Sequence, residues 1–408
     1  MKNPPNTYTY QLGIRPNWLQ FLLLIAVNGC VGGMVGLERA VVPLLGEREF
    51  GLSGRHATLS FIVAFGICKA IANSLAGKLN DRFGRRPVLL LGWLIALPVP
   101  VLLAFAQSWN EVIGANALLG LSQGLAWSTT VVMKIDIAGP QQRGLAMGLN
   151  EFAGYTAVAA SATATGWMAE KTGFRLALLY LGLGIAGIGL LLSFFAKETR
   201  GFSALESALN ATSAEKGKSG QSFWKNPNLF AATQAGFFNN LNDGMAWGLF
   251  PLLFASQGWS IQAIGLFSAI VPATWGIGQL ATGPLSDRLG RKVFIVYGMW
   301  VQAFGIVLIA LVAGLLPVIS GNFFIGLGTA MVYPTLLAAI ADNTSPSWRA
   351  SAVGIYRFWR DLGYAIGALV SGVVADRFGI NTAVLVVGAL TFTSGSLVAL
   401  QFEEKSRG

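Results

Sequence analysis

Apolar runs of eighteen or more residues recur from one end of the chain to the other, separated by short polar stretches that hold most of the charge. Each run is long enough to cross roughly 30 Å of hydrocarbon as a helix. Inside lipid the backbone must satisfy its own hydrogen bonds, which makes such runs helices. The pattern predicts twelve spans, at about 18–45, 57–76, 88–106, 111–133, 145–169, 175–195, 228–254, 261–282, 293–313, 316–338, 351–375 and 382–401. One long polar stretch, 197–227, interrupts the series and reads as a linker between residues 1–196 and 228–408, six spans each. The expected fold class is an all-α integral membrane protein.

Composition agrees: 54% of residues are hydrophobic and only 11% charged, against about a quarter charged in soluble domains. The net charge of +10 suggests a nucleic-acid partner until the charges are placed. With the N-terminus inside, nineteen of the 28 Lys and Arg residues fall on the cytoplasmic side, five on the opposite side and four within spans. Basic loops stay in the cytoplasm, so the excess reports orientation, with both termini inside and no role for nucleic acid. Cys30 and Cys68 lie within spans and form no disulfide or metal-thiolate spacing. The first apolar run leads straight into the fold and does not read as a cleavable signal.

A decapeptide repeats at half-chain distance. Gly77-Lys-Leu-Asn-Asp81-Arg82-Phe-Gly84-Arg85-Arg86 returns 206 residues later as Gly283-Pro-Leu-Ser-Asp287-Arg288-Leu-Gly290-Arg291-Lys292. Asp136 and Arg143 correspond to Asp342 and Arg349 at the same offset. Weaker copies of the charged turn run from Gly166 through Glu170 to Gly173, and from Gly372 through Asp376 to Gly379. This duplicated G-x-L-x-D-R-x-G-R-[RK] element resembles the signature loop of the major facilitator superfamily of transporters, and the resemblance covers nearly the whole chain. It implies two pseudo-symmetric six-helix bundles, a small-molecule substrate bound near the midplane between them, alternating access, and a monomer in the lipid of a bacterial inner (plasma) membrane. It also implies a gating role for Asp81, Arg85, Asp136 and Arg143 with Asp287, Arg291, Asp342 and Arg349. The alternative for these residues is topogenic charge alone.

Ionisable residues inside spans cost roughly 2.5–3.5 kcal/mol each on insertion scales, so each is a functional hypothesis. Spans 3, 6, 9 and 12, which the resemblance places outermost, have none in their interiors. Asp243 lies among Asn239, Asn240 and Asn242, either as a coupling or substrate-contacting acid or as a structural acid satisfied by those amides. Arg357 and Asp361 stand four apart and are expected to pair on one helical face. Arg360 then needs an outside partner: Asp243, Glu151 or an anionic ligand. Glu151 is expected to exchange protons with the cytoplasm or to pair with Lys69. Glu38 and Arg39 are adjacent near the outer end of span 1, where interfacial placement is expected, with Glu38 as an outer proton acceptor the alternative. Gln123, Trp127, Trp247 and Trp275 are candidate cavity walls, and the sole histidine, His56, reads as a solvated loop residue.

Enzyme chemistry finds no support. There is no nucleophile–base constellation, no metal-ligand cluster and no G-x-x-x-x-G-K-[ST] loop, so no cofactor is expected and the energy source is a proton or solute gradient. Span 5 lacks the Gly-Pro element of several drug antiporters between Glu151 and Thr163, and Lys197-Glu198-Thr199-Arg200 is not a sugar-porter loop. The leading expectation is a proton-coupled carrier of a small organic anion. The alternatives are an exporter of amphipathic or cationic compounds that uses Asp243 and Glu151 as acids, and a transporter-like ligand sensor.

Overall fold

The computed structural model describes residues 10–209, 223–344 and 348–404. The twelve spans are twelve helices. The first three are α1 (Trp18–Arg48, interrupted at Ala40), α2 (Ser60–Phe83) and α3 (Arg85–Phe105). Next, α4 and α5 form the continuous run Trp109–Thr172, divided at Gly139, whose φ of 68° is open to glycine and strained for other residues. Pro140 then opens α5, where its missing amide costs nothing. The remainder are α6 (Phe174–Phe195), α7 (Pro227–Ser256), α8 (Ile261–Leu289), α9 (Arg291–Leu311), α10 (Leu315–Asp342), α11 (Arg349–Phe378) and α12 (Ile380–Gln401). Part of the linker is also helical, at Arg200–Leu209.

Among the described residues, eight helices are long and apolar enough to cross a membrane by length and composition; α4, α5, α7 and α11 do not stand out in this way. The last two hold Asn239 to Asp243 and Arg357 to Asp361, polar side chains that face other helices rather than lipid. By contrast, α3, α6, α9 and α12 expose large apolar side chains such as Leu94, Leu191, Phe304 and Leu400.

The signature decapeptides are less loop-like than their glycines suggest. Helices α2 and α8 continue to Phe83 and Leu289, and the chain reverses at a single residue, Gly84 (φ 104°) or Gly290 (φ 105°). Gly77 and Gly283 therefore sit within helices. Two carboxylates not singled out in the sequence complete these turns. Glu198 accepts from the Arg85 and Arg86 amides at 3.2 and 3.1 Å. Glu404, 206 positions on, accepts from the Arg291 and Lys292 amides, both at 2.8 Å. Each acid occupies the electropositive N-terminus of α3 or α9.

Within each half the motif side chains knit helices together. Arg85 bonds Asp81 at 3.1 Å and Asp136 at 3.2 Å, and Thr199 donates to Asp136 at 2.7 Å. Arg291 pairs with Asp287 and, at 3.1 Å, with Asp342. Arg86 donates to the Phe194 carbonyl, Arg82 lies against Phe83, and Arg143 pairs with Glu206 of the linker helix. The Arg349 side chain lies outside the described residues. Lys134, read from the sequence as a loop cation, is fully buried because α4 extends past it; its ammonium donates to the Leu24 carbonyl at 3.0 Å.

Contact between the halves is concentrated on the face away from the chain ends. Gly166 of α5 and Gly265 of α8 meet backbone to backbone, and a Cβ on either would lie 2.7–2.8 Å from the other's Cα. Gly372 of α11 comes as close to the backbone of His56. Nearer the chain ends, Gly77, Gly148, Gly283 and Gly354 would have no atom within 4 Å of an added Cβ. One face is closed and the other is open.

Candidate functional site

At mid-depth the halves are joined by Arg39 of α1 and Asp243 of α7. Arg39 Nη1 and Nη2 donate to the two Asp243 oxygens at 2.6 and 2.7 Å, a bidentate pair with both side chains under 10% exposed. Tyr364 donates its hydroxyl to Asp243 at 2.8 Å, and the guanidinium lies 5.4 Å from the Trp247 ring centre. This corrects two expectations. Glu38 and Arg39 are buried, not interfacial, because α1 runs on beyond them inside the bundle. The asparagines beside Asp243 do not solvate it. Asn239 and Asn242 instead bond Gln302 of α9 at 3.1 and 3.0 Å, and Asn242 also accepts from Thr391 of α12. Both asparagines therefore pack within the second half. Glu38 diverges from Arg39, as adjacent helical residues must; neither of its oxygens has a partner in good hydrogen-bond geometry, and the Asn116 side chain is the polar group that lies near it.

A second cluster surrounds a small cavity lined by Lys69, Asn73, Trp127, Ser128, Glu151, Tyr155, Tyr333, Arg357 and Arg360. The expected Arg357–Asp361 pair does not form. Asp361 is claimed by its neighbour Arg360, at 2.9 Å from Nε and 2.7 Å from Nη2, and by Asn73 across the interface. Arg360 thus finds its acid next door rather than at Asp243 or Glu151, and its remaining Nη1 donates to the Tyr333 hydroxyl at 2.8 Å. Arg357 is left with a buried Nε that has no partner.

Glu151 and Lys69 do not pair either. The Glu151 Oε1 accepts from Trp127 at 3.1 Å and Asn150 at 2.8 Å, while Oε2 has no partner. The Lys69 ammonium lies against the rings of Phe65, Trp127 and Tyr364, 5.0–5.9 Å from their centres, where cation–π attraction holds it. Tyr155 stacks on Trp275 of the other half with ring centres 3.5 Å apart, and Tyr333 meets Trp275 edge-on. Gln123 is not a cavity wall: it is buried and donates to the Val31 carbonyl at 2.8 Å, tying α4 to α1. Trp247 borders a separate small space that reaches the Arg39–Asp243 pair.

Tyr155, Tyr333, Tyr364 and Asn73 were not singled out in the sequence, because aromatic and amide residues are common in spans and nothing local distinguishes those that face a partner helix. Placed together, the repeated halves, the single-glycine motif turns and the polar mid-depth cluster have one family in common. The Major Facilitator Superfamily model matches residues 21–238 and again 232–407. The chain belongs to the Major Facilitator Superfamily.

Relatives match along nearly the full length of this transporter. Multidrug resistance protein MdtG of Proteus mirabilis (strain HI4320) is 24% identical over 392 residues, covering 92% of this chain and 94% of its own. MdtG of Klebsiella pneumoniae (strain 342) is 23% identical over 390 residues, covering 92% and 91%. A crystal structure of the nucleoside transporter NupG superposes with a TM-score of 0.71 at 14% identity, covering 94% of this chain and 99% of that one. At that identity the last comparison speaks to fold alone. The protein is a membrane-spanning transporter of two repeated bundles and not an enzyme.

Proposed function

We propose that the transporter carries a small amphipathic organic compound bearing an acidic group, coupled to protons, across a bacterial inner membrane with both chain ends in the cytoplasm. The observation that carries this reading is the cavity wall: Lys69 and Arg357 border it without an acid partner, beside the rings of Trp127, Tyr155 and Tyr333. A desolvated guanidinium lacking a carboxylate is a site for an anion. Under the expected orientation the open face is cytoplasmic, so this state loads or releases cargo there. For coupling, Glu38 is the acid the geometry favours. An ionised carboxylate with no cation beside it and only the Asn116 amide near it is far more costly to bury than its acid form, so a proton moves with changes in its surroundings. Asp243, by contrast, is matched by Arg39 and serves in this reading as a link between halves.

A second reading, export of cationic compounds, draws on the multidrug-resistance names of the relatives and on the free oxygen of Glu151. A thermal-shift panel separates the two. A ligand at about 100 times its Kd adds about 2.7 kcal/mol to the folded state. Stabilisation by organic anions that is lost in Arg357→Gln supports the first reading; stabilisation by lipophilic cations that is lost in Glu151→Gln replaces it with the second.

A further inference from the structure

Two residues on the wall of the central cavity each keep a buried polar atom without a hydrogen-bond partner, and the two carry opposite charges: Glu151 Oε2 and Arg357 Nε. Opposite charges bordering one small space ordinarily close into an ion pair, but these two do not. Glu151 is tethered through its other oxygen by Trp127 and Asn150, and so presents a fixed carboxylate. The acid one helical turn beyond Arg357 is occupied by Arg360 and Asn73, so Arg357 has no acid on its own helix to turn to. Lys69, the other cation on this wall, is held against three ring faces instead of against Glu151, and the buried Lys134, which lies near enough to feel the Glu151 charge, donates to the Leu24 carbonyl without forming an ion pair with that acid.

We infer that the cargo is a zwitterion: a compact aromatic molecule whose ammonium group meets the Glu151 carboxylate and whose own carboxylate meets the Arg357 guanidinium. This rests on the reading of the cavity as the cargo site and narrows its substrate class. A simple anion satisfies Arg357 and leaves the tethered acid beside it unmatched. A simple cation satisfies Glu151 and faces Arg357 and Lys69. A molecule with both charges completes both orphaned groups, and its ring finds Tyr155 and Tyr333 on the same wall.

The test uses the full-length protein in lipid nanodiscs and three probes on one ring system: tryptophan (zwitterion), indole-3-propionate (anion) and tryptamine (cation), titrated by calorimetry at neutral pH. Tryptophan is expected to bind about 10-fold or more tightly than either singly charged probe. Glu151→Gln then removes its advantage over indole-3-propionate, and Arg357→Gln its advantage over tryptamine. Indole-3-propionate binding as tightly as tryptophan to the unsubstituted protein overturns the zwitterion inference and leaves the anion carrier standing. Tryptamine binding tightest, or no binding by any of the three up to about 10 mM, overturns both. The comparison on the unsubstituted protein decides the matter even if a variant does not fold.

Discussion

Asp376 and Glu170 stand 206 positions apart and perform the same task for opposite halves. At the exposed end of α11, Asp376 accepts from the backbone amides of Arg55 and His56 and bonds the His56 ring, in the turn that leads into α2. At the end of α5, Glu170 accepts from the amide of Gln262 at the start of α8, at 3.2 Å. Gln262 is itself 206 residues after His56, so the pair is a symmetric double clasp on the closed face. Each acid sits at the N-terminal end of a helix in the other half, where free amides and the helix dipole favour negative charge.

Removing the clasp should open that face. At about 1 kcal/mol per cap, Asp376→Ala with Glu170→Ala shifts the closed-to-open ratio about 30-fold. The readout is maleimide labelling of Gly354→Cys, which borders open space on the other side, in a chain with Cys30 and Cys68 replaced by Ala. Labelling should slow in the double variant as that side closes. An unchanged rate would mean the clasp does not set the equilibrium.

The Asp376 carboxylate itself should be indifferent to pH over the working range. Burial pushes the Asp376 carboxyl up, but the amide and ring of His56 and the amide of Arg55 outweigh it and hold the group below the usual carboxylate range. For a depressed carboxylate the stabilisation is fully present above its ordinary value of about 3.9 and is lost only as pH falls through the clasped value. Histidine changes charge between about pH 5 and 8, so the comparison uses a His56→Gln background, in which labelling of Gly354→Cys at pH 5.5 and 8 should differ no more with Asp376 present than in Asp376→Ala. A pH dependence that vanishes with Asp376 would contradict this sign.

What the sequence disclosed and what it withheld divide along the range of the interactions involved. Spans, halves and motif turns follow from local hydropathy and from a repeat that any reader can align. The same 206-residue offset, followed one step further, would have found Glu198 and Glu404. Partner choice between helices is another matter. Arg39 and Asp243 are 204 residues apart, and no local rule joins them. The four-residue spacing that suggested Arg357 with Asp361 describes an isolated helix, whereas packing against Tyr333 and Asn73 favours Arg360 as the partner. The three asparagines near Asp243 misled for the same reason: adjacency in sequence places residues around a helix, on different faces, and two of these turn towards α9 and α12.

The Arg39–Asp243 link makes a prediction of non-additivity. Arg39→Gln or Asp243→Asn alone leaves one buried charge uncompensated, a loss of about 3–5 kcal/mol. The double variant removes both charges and should lose distinctly less than the sum of the two, with a coupling energy of about 1–3 kcal/mol in a double-mutant cycle. Unfolding of the purified variants in detergent measures it. Strictly additive losses would mean that the two residues act independently in spite of their 2.6 and 2.7 Å contacts.

Glu38 supplies the sharpest test of coupling. Its carboxyl is fully buried with no ion-pair partner and only the Asn116 side chain near it, next in sequence to the arginine that joins the halves. Glutamine imitates the acid form in size and neutrality, so Glu38→Gln should unfold within about 1–2 kcal/mol of the parent, the cost of an amide in place of an acid. If Glu38 carries the coupling proton, the variant in proteoliposomes should still exchange cargo down its own gradient, yet no longer accumulate it when a pH gradient is imposed. The two assays share every step except proton movement. Loss of exchange as well would make Glu38 a structural residue, and intact accumulation would move the coupling proton to another acid, with Glu151 the one that still has a free oxygen.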